Sequence, residues 1–369
     1  MRVAFDYQIF SLQAYGGISR YFTRLVEHLA AAKEEVKIFS PVHCNEYLDS
    51  LTPALRYGRR ISRKSSKAIR LALPYNHIVC RHKISNWKPD LVHETYFSMF
   101  NSKPALVPVV VSVFDMVHEL FPKEFSKVNR YCDFKRKAVE RADHVICISE
   151  NTRNDLLNTF HIHAEKVSVA HLGFDSFPDN QPAARADVLS TNRPFLLFVG
   201  NRKGYKNFSG LLRAVSLSPQ LRSTFDIVAF GGGAFTNTEQ ALIKSLGYDA
   251  RQVYQTGSTD AELAVLYDKA VALIYPSLYE GFGLPPLEAM AHNCPVIVSR
   301  AASMPEVVGD AGEYFEPSSP ESIAAAIVNV VFSTEKTSSL VRKGQKRLGQ
   351  FSWETCASKT LAIYEKLLS

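Results

Sequence analysis

Two glutamates, Glu280 and Glu288, flank a glycine-bearing loop in the segment PSLYEGFGLPPLEAMAHNCPVIVS at 276–299. The segment has the pattern of a strand end, a loop, a helix and a second strand. Gly281 and Gly283 lie between the two glutamates, and residues without a Cβ let a ligand approach the backbone closely. The spacing therefore predicts a binding loop with one carboxylate on each side.

The chemistry of this loop suits a ligand that has an anionic centre and hydroxyl groups at both ends. Pro285 and Pro286 favour a helix start, because the N–H groups that prolines lack would be unpaired there. A helix N-terminus offers backbone N–H groups and partial positive charge to an anion such as a diphosphate. Glu280 and Glu288 can accept hydrogen bonds from hydroxyls of a sugar ring and a ribose. In the simpler alternative, Glu288, predicted in the first helical turn, only complements the helix dipole and Glu280 is a surface acid.

The elements that must position this loop follow a repeating strand and helix pattern, which predicts an α/β fold. Several strand segments are apolar throughout, as expected for parallel strands that helices cover on both faces. The predicted strands are RVAFDYQI, EVKIFSPV, DLVHETY, PVVVSVFD, HVICIS and KVSVAHLG in the first half, and PFLLFVG, FDIVAFGGG, QVYQTG, AVALIYPS, CPVIVSR and GEYFEP in the second.

A polar segment with two prolines, FDSFPDNQPAARADVLSTNR, separates the two series of strands. We interpret residues 176–193 as a linker between Rossmann-like domains over 1–175 and 194–351. The last segment, 352–369, has the pattern of an amphipathic helix that Ser352 caps, and we expect it to pack back on the first domain. Two doubly wound domains would face a cleft, and open α/β sheets bind ligands at the carboxyl ends of their strands.

Composition indicates a folded cytoplasmic protein. The 369-residue chain is 46% hydrophobic and 21% charged, which excludes an intrinsically disordered chain. Its start, MRVAFDYQIF, lacks the pattern of a signal peptide, and its longest apolar run, ALVPVVVSVF, is shorter than the ~20 residues that span a bilayer. The six cysteines have neither Cys-x-x-Cys nor metal-ligand spacing, so we expect reduced thiols.

The net charge of +7 comes entirely from the first half of the chain. Residues 1–178 hold 25 Lys and Arg against 18 Asp and Glu, whereas residues 179–369 hold 18 of each. The densest run, RYGRRISRKSSKAIR at 56–70, has seven cations and no acid, and a second basic stretch covers 123–141. Such runs indicate either a solvated face or an anionic partner, which could be a lipid surface, a phosphate-bearing acceptor or nucleic acid.

The segment YEGFGLPPLEAM resembles the donor signature of the retaining GT-B glycosyltransferases of family 4, two glutamates separated by seven residues. The resemblance extends from AYGGISRY near the start to SMPEVVGDAG at 303–312. It implies an acceptor-binding first domain and a second domain that binds a nucleotide-sugar donor. It also implies transfer of a hexose with retention, giving an α-linkage. In that family the first glutamate contacts the transferred sugar and the second the ribose.

A positive pair in LFVGNRKGYKNF, Arg202 and Lys206, is similar to the cations that serve the donor diphosphate in this family. A guanidinium and an ammonium there can neutralise charge that develops on the leaving group. The alternative is a pair of solvated charges in a turn, and Lys203 is expected to be a bystander. The donor-binding residues that the resemblance implies are Gly17, Arg202, Lys206, Glu280, Gly281, Phe282, Gly283, Leu284 and Glu288.

Two further segments are predicted to serve catalysis and acceptor binding in the first domain. Gly16 and Gly17 open a helix at a place where family members bring backbone close to phosphate or acceptor, although such a pair is as often a plain turn. The segment VSVFDMVHELFP is similar to a family loop that carries a His-Asp pair. Phe114 precedes Asp115 here, so His118 is either a substitute for that histidine or a structural residue, and Asp115 is expected to orient acceptor.

We expect neither a cofactor nor a metal. The sequence contains no Asp-x-Asp pair, which many sugar transferases use to hold a metal on the diphosphate. The helix N-terminus, Arg202 and Lys206 would supply positive charge in its place.

The segments AYGGISRY and DMVHELFP are most similar to those of bacterial mannosyltransferases that assemble surface polysaccharide, such as the O-antigen of lipopolysaccharide, from GDP-mannose. The acceptor would be a glycan or a polyprenyl-linked saccharide, and the basic first domain would rest on the anionic inner face of the membrane. Alternatives are another donor (UDP-hexose or GDP-deoxyhexose), a nucleotide-sugar epimerase or phosphorylase of the same architecture, and a basic nucleic-acid-binding protein. No nucleic-acid motif or G-x-G-x-x-G fingerprint supports nucleic-acid or NAD binding.

Overall fold

The structure, a computed structural model, describes residues 1–61, 66–100, 106–125, 128–175, 193–249, 251–257 and 259–369. The chain divides into two compact units. Unit 1 comprises Met1–Gly173 and Ser352–Ser369, and unit 2 comprises Phe174–Phe351. The predicted linker at 176–193 lies outside the described residues except for Arg193.

Unit 1 is built on a seven-stranded sheet in which all neighbouring strands are parallel. Every residue of the strands near its centre is buried, because helices cover both faces of a doubly wound sheet. The strands are β1 (Arg2–Phe5), β2 (Glu35–His43), β3 (Arg56–Arg60), β4 (Leu91–Glu94), β5 (Val109–Val113), β6 (His144–Cys147) and β7 (Val167–Val169). Their order is β3-β2-β1-β4-β5-β6-β7.

The helices of unit 1 connect these parallel strands. They are α1 (Gln8–Leu12), α2 (Gly17–Ala31), α3 (Tyr47–Ser50), α4 (Ser66–Trp87), α5 (Val117–Leu120), α6 (Val128–Arg141) and α7 (Glu150–Phe160). Ser149 caps α7, since its side chain accepts a hydrogen bond from the Thr152 backbone N–H.

Unit 2 repeats the plan with a six-stranded parallel sheet of order β10-β9-β8-β11-β12-β13. The strands are β8 (Phe195–Val199), β9 (Asp226–Phe230), β10 (Val253–Thr256), β11 (Ala272–Tyr275), β12 (Val296–Ser299) and β13 (Gly312–Phe315). The helices are α8 (Phe208–Leu217), α9 (Pro219–Thr224), α10 (Asn237–Ser245), α11 (Asp260–Lys269), α12 (Leu284–Ala291), α13 (Met304–Val308), α14 (Pro320–Val331) and α15 (Thr334–Leu348). One face of the sheet packs with α8 and α14 through residues such as Leu211 and Ile327, which are fully buried.

The last helix, α16 (Trp353–Leu368), packs on α2 in unit 1. Ser352 caps it by accepting from the Thr355 backbone N–H, as predicted. Tyr364 lies fully buried, and its hydroxyl is 2.5 Å from Nδ1 of His93 on β4. The other ring nitrogen of His93 is 2.9 Å from Ser112 Oγ on β5, so a buried polar chain joins the C-terminal helix to the sheet.

The buried histidine predicts a pH-dependent stability. Burial lowers the pKa of His93 to about 3, whereas an unfolded histidine has a pKa of about 6.5. The unfolded chain therefore binds a proton that the folded chain does not, and stability falls as the pH drops below about 6.5. From this one group we expect a loss of about 2 kcal/mol in the free energy of unfolding at pH 5.

Thermal unfolding at pH 5, 6 and 7 measures this effect. The melting temperature of the wild type should fall toward pH 5, and His93→Asn should fall less steeply, whatever its stability at pH 7. Equal pH slopes in the two proteins would contradict the assignment.

All twelve predicted strands are confirmed, and one strand was missed. The missed strand, β3, has the sequence RYGRR at the sheet edge and its last three residues are exposed, so it has no apolar pattern to find. It takes up the start of the basic run, where Arg56 and Arg60 pair with Asp49, and residues 62–65 of the run lie outside the described residues. Among the helices that the structure describes, none combines the length and apolarity of a membrane span.

Candidate active site

The predicted donor residues of unit 2 follow the carboxyl ends of neighbouring strands. From β8 the chain moves outward through β9 and β10, and then returns to the other side of β8 with β11. The order of strands reverses between β8 and β11, and such a switch point is where open α/β sheets bind ligands. The loop after β8 carries Arg202 and Lys206, and the loop after β11 carries Glu280.

Lys206 and Glu280 meet across this switch point. Lys206 Nζ is 2.7 Å from Oε1 and 2.9 Å from Oε2 of Glu280, so the ammonium faces both carboxylate oxygens. The two side chains are 14% and 11% exposed, which makes the pair accessible to a ligand while shielding it from most solvent. Asn207 ties the two loops together, because its Nδ2 donates to the carbonyls of Pro276 and Pro317. The predicted cation and the predicted sugar-contacting acid thus form an ion pair.

A buried tyrosine, Tyr275 at the end of β11, also holds Glu280. Its hydroxyl donates a hydrogen bond to Glu280. The Tyr275 pKa is raised well above its usual value, mainly by burial and secondly by this carboxylate. The phenol therefore stays protonated and serves as a donor. Lys206 Nζ lies 5.7 Å from the centre of the Tyr275 ring, so one aromatic side chain contacts both partners of the ion pair.

The loop between the glutamates is anchored from beneath. Ser303 is fully buried, and its Oγ lies 2.9 Å from the carbonyl oxygen of Glu280 and 2.6 Å from that of Phe282. Phe282 packs its ring edge-on against Phe351 and is buried, so only its backbone is available to a ligand. Gly283 has a φ of +121°, and a Cβ there would lie 2.4 Å from Met304 Cε, so this position requires glycine.

Glu288 lies deeper in its helix than predicted. Helix α12 begins at Leu284 and has no acidic residue in its first turn, so the expectation that Glu288 lies in that turn was wrong. The prolines at 285 and 286 do occupy the helix start, as predicted. Tyr267 of α11 is fully buried, and its hydroxyl donates to Glu288 Oε2 over 3.1 Å. A tyrosine thus contacts each of the two glutamates.

Arg202 also lies at the carboxyl end of this sheet, but its guanidinium is hydrogen-bonded to other groups of the protein. Its Nε donates to Glu239 over 2.8 Å, and its two Nη atoms donate to the carbonyls of Gly231 and Gly233 over 2.6 and 2.8 Å. The side chain is only 3% exposed. The structure therefore places Arg202 next to the turn that follows β9, and Lys206 is the cation that meets Glu280.

The predicted glycine pair of unit 1 opens α2. Gly16 precedes the helix with extended backbone, and a Cβ there would lie 2.3 Å from Gln13 Oε1. A Cβ at Gly17 would meet nothing within 4 Å. A side chain at position 16 would therefore have to displace the end of the Gln13 side chain, whereas open space adjoins position 17.

The loop after β5 in unit 1 carries Asp115 and His118. Asp115 accepts a hydrogen bond from the Val117 backbone N–H and starts the short helix α5. The His118 ring stacks on Tyr131 at 5.4 Å, and burial lowers the His118 pKa although Asp115 opposes the shift. Phe114 faces inward against the ring of Tyr21, so it belongs to the core of unit 1.

A buried ion pair supports this loop, and the sequence patterns did not indicate it. Lys135 of α6 is buried, lies 2.7 Å from Glu119 Oε2, and donates to the Asp115 carbonyl over 2.9 Å. Lys135 stands in the charged run FKRKAVER, where nothing distinguishes it from its exposed neighbours. Of the described residues, no group of three or more His, Cys, Asp or Glu side chains is arranged to hold a metal ion.

Two family models match the chain, one for each half. Residues 15–176 match the model described as Glycosyltransferase Family 4, and residues 180–347 match the model described as Glycosyl transferases group 1. The solved sucrose-phosphate synthase from Thermosynechococcus elongatus has a similar fold, with a TM-score of 0.75 at 20% identity over 99% of this chain and 98% of that one.

Several similar sequences are named as mannosyltransferases, two of them of the O-antigen chain. O-antigen chain mannosyltransferase B of Escherichia coli is 28% identical over 95% of this chain and 96% of its own length. O-antigen chain mannosyltransferase RfbU of Salmonella typhimurium is 26% identical over 83% of this chain and 85% of its own length. With its two parallel Rossmann-like sheets and both family models, the chain is a glycosyltransferase of the GT-B fold, with a Glycosyltransferase Family 4 domain in its first half and a Glycosyl transferases group 1 domain in its second.

Proposed function

We propose that this glycosyltransferase moves mannose from GDP-mannose onto a saccharide acceptor, free or polyprenyl-linked, during assembly of a surface polysaccharide. The main observation that supports the donor site is the Lys206–Glu280 ion pair at the switch point of the unit 2 sheet. The choice of mannose is supported by the names of the similar sequences, the O-antigen chain mannosyltransferases.

The residues around the switch point suggest how the donor would be held. Glu280 would accept hydrogen bonds from hydroxyls of the transferred hexose, and Glu288 from the ribose hydroxyls. The backbone N–H groups of Gly283 and Leu284 would face the diphosphate at the start of α12, where Pro285 and Pro286 have no N–H to offer. Lys206 would lie against the oxygen that gains charge as the diphosphate leaves.

The proposed reaction proceeds with retention and gives an α-linkage. The bond between the sugar C1 and the diphosphate oxygen breaks, and the acceptor hydroxyl forms the new bond to C1 on the same face. The hydroxyl proton passes to an oxygen of the leaving diphosphate. Positive charge from Lys206 and from the helix N-terminus favours departure of the diphosphate, so we propose that no cofactor or divalent metal is required.

A transfer assay with purified protein, GDP-mannose and a synthetic mannoside acceptor tests this function. We expect a disaccharide whose anomeric proton shows the α configuration by NMR, at a rate that EDTA leaves unchanged. UDP-glucose in place of GDP-mannose should give no product. A β-linked product, strict loss of activity in EDTA, or an epimerised free donor would each contradict a separate part of the proposal.

Tyr267 offers a graded test of the ribose contact. Replacing it with phenylalanine removes the hydroxyl that donates to Glu288 and leaves the buried ring in place. Loss of one such hydrogen bond should weaken GDP binding about fivefold to tenfold, because the carboxylate is no longer held in position. Titration calorimetry measures this change. Tyr364→Phe, the matched change in unit 1, should leave GDP affinity unaltered. Equal GDP affinities in the wild type and both variants would count against the proposed contact of Glu288 with the ribose.

We also propose that unit 1 binds the anionic inner face of the membrane. Helix α6 presents Arg130, Arg136 and Lys137 to solvent, and the exposed Lys123 precedes it. Such cations attract anionic lipid at about 1 kcal/mol each. The protein should sediment with phosphatidylglycerol vesicles at low salt and be released at high salt. Reversal of Arg130 and Lys137 to glutamate should abolish binding, whereas Lys244→Glu with Lys269→Glu in unit 2 should not. Binding that ignores salt would count against the proposal.

A further inference from the structure

The turn that follows β9 consists of three consecutive glycines with left-handed backbone. Gly231, Gly232 and Gly233 have φ values of +92°, +73° and +72°. The turn lies at the same carboxyl end of the sheet as the candidate donor site, because the Gly200 N–H at the end of β8 donates to the carbonyl of Phe230. A side chain at Gly231 would lie 3.2 Å from the Gly200 carbonyl oxygen. The shape of this turn thus depends on glycine, the residue with the greatest backbone freedom.

The Arg202 guanidinium organises this turn. Its Nη atoms donate to the carbonyls of Gly231, Gly233 and Ala234 over 2.6, 2.8 and 3.1 Å. A Cβ at Gly232 would lie 2.7 Å from Nη1, so the guanidinium also fills the space beneath the turn. Because the C=O and N–H of a peptide unit point in opposite directions, the N–H groups of these peptides are directed away from Arg202.

Glu239 and two phenylalanines fix the guanidinium in this place. Glu239 Oε1 accepts from Arg202 Nε over 2.8 Å, while Oε2 accepts from the Thr236 backbone N–H over 2.7 Å and completes a capping box on α10. The guanidinium lies 4.8 Å from the ring centre of Phe235, which stacks on Phe208. These contacts hold both the position and the plane of the Arg202 side chain.

We infer that Arg202 is a positioning residue that acts on the donor through the Gly231–Gly233 turn, and that Glu239 is its partner in this role. The inference rests on the proposed donor site, and it differs from the sequence-based expectation that Arg202 itself neutralises the diphosphate. The Gly231 N–H donates to the Thr256 carbonyl, and the turn would present the N–H groups of Gly232 and Ala234, which suit the oxygens of a nucleoside diphosphate. Lys206 would then provide the side-chain cation for the leaving group.

The two roles predict opposite effects at Glu239. If Arg202 holds the turn, Arg202→Gln and Glu239→Gln should each weaken binding of a nucleoside diphosphate, by roughly tenfold. The double variant should be little worse than either single one, because both changes release the same turn. If Arg202 contacts the diphosphate directly, Glu239→Gln frees the guanidinium and should leave affinity unchanged or raised.

Titration calorimetry with GDP, UDP and ADP on the full-length chain makes this test, using the nucleotide that the wild type binds. Lys203→Gln, which removes the neighbouring exposed cation, is the control and should bind like the wild type. Arg202→Lys should not restore affinity, since an ammonium cannot reproduce the planar fork of donors. In the transfer assay, the donor KM of the Glu239→Gln variant should rise while kcat changes little.

Each outcome decides the proposal. Should Arg202→Gln fail to fold, Gly232→Ala distorts the same turn and should cost the same affinity. Wild-type affinity in Glu239→Gln or in Arg202→Lys, with weakened binding in Arg202→Gln, overturns the positioning role and supports direct contact. A wild type that binds none of the three nucleotides removes the donor site itself, and this proposal with it.

Discussion

Replacement of Lys206 with methionine is expected to lower kcat about 10²-fold to 10³-fold, the largest effect that we expect from one side chain. The ammonium lies 2.7 Å from Glu280 Oε1, and in the proposed mechanism it also faces the diphosphate as that group leaves. Methionine keeps most of the length and the apolar stem of lysine and removes only the charge. Initial rates at saturating GDP-mannose measure the loss.

The neighbouring lysine of the same loop provides the matched control. Lys203 is exposed, and no ion pair of the described residues includes it, so Lys203→Met should retain wild-type kcat. A Lys206→Met enzyme with wild-type kcat would show that the leaving diphosphate is stabilised by other groups. A loss of kcat together with a large drop in melting temperature would instead indicate that the cation serves the fold, because it leaves Glu280 unpaired.

Glu280→Gln is expected to lower kcat about 100-fold while GDP affinity stays near the wild-type value. The amide keeps the shape of the carboxylate but loses the charge that strengthens hydrogen bonds to the sugar hydroxyls, and it loses the ion pair with Lys206. GDP lacks the transferred sugar, so its binding should not depend on this residue.

The pair of measurements, kcat with GDP-mannose and calorimetry with GDP, separates the two ends of the donor. Glu335→Gln, an exposed acid of α15, should change neither quantity. A Glu280→Gln variant that loses GDP affinity and keeps kcat would mean that the roles of Glu280 and Glu288 are exchanged.

Much of the fold could be predicted from the sequence because buried parallel strands leave a local signature. Segments such as PVVVSVFD are apolar on both faces, and the structure confirms them as strands. The edge strand β3 had no such signature, since its exposed side chains are arginines. Ser352 was predicted as a helix cap from its position alone, and this cap is confirmed.

The site was predictable only where its chemistry lies in contiguous residues. The segment from Glu280 to Glu288 could be recognised from the spacing of its residues. The ion pair between Lys206 and Glu280 depends on strand order, which local sequence patterns do not reveal. The prolines marked the start of α12 correctly, but Glu288 is the fifth residue of that helix and so lies beyond the first turn in which it was expected. Tyr267 was missed, because an apolar helix position gives no sign that its hydroxyl faces a carboxylate.

We propose above all that unit 2 binds a nucleoside diphosphate through the segment from Glu280 to Glu288. Titration calorimetry of the purified protein with GDP, UDP and ADP in the absence of metal tests it, with Glu288→Ala alongside. We expect GDP to bind in preference to the other two, and the variant to bind it about tenfold more weakly or worse, since a charge-assisted hydrogen bond to the ribose is lost. Binding of none of the three nucleotides, or equal binding by Glu288→Ala, would contradict the claim.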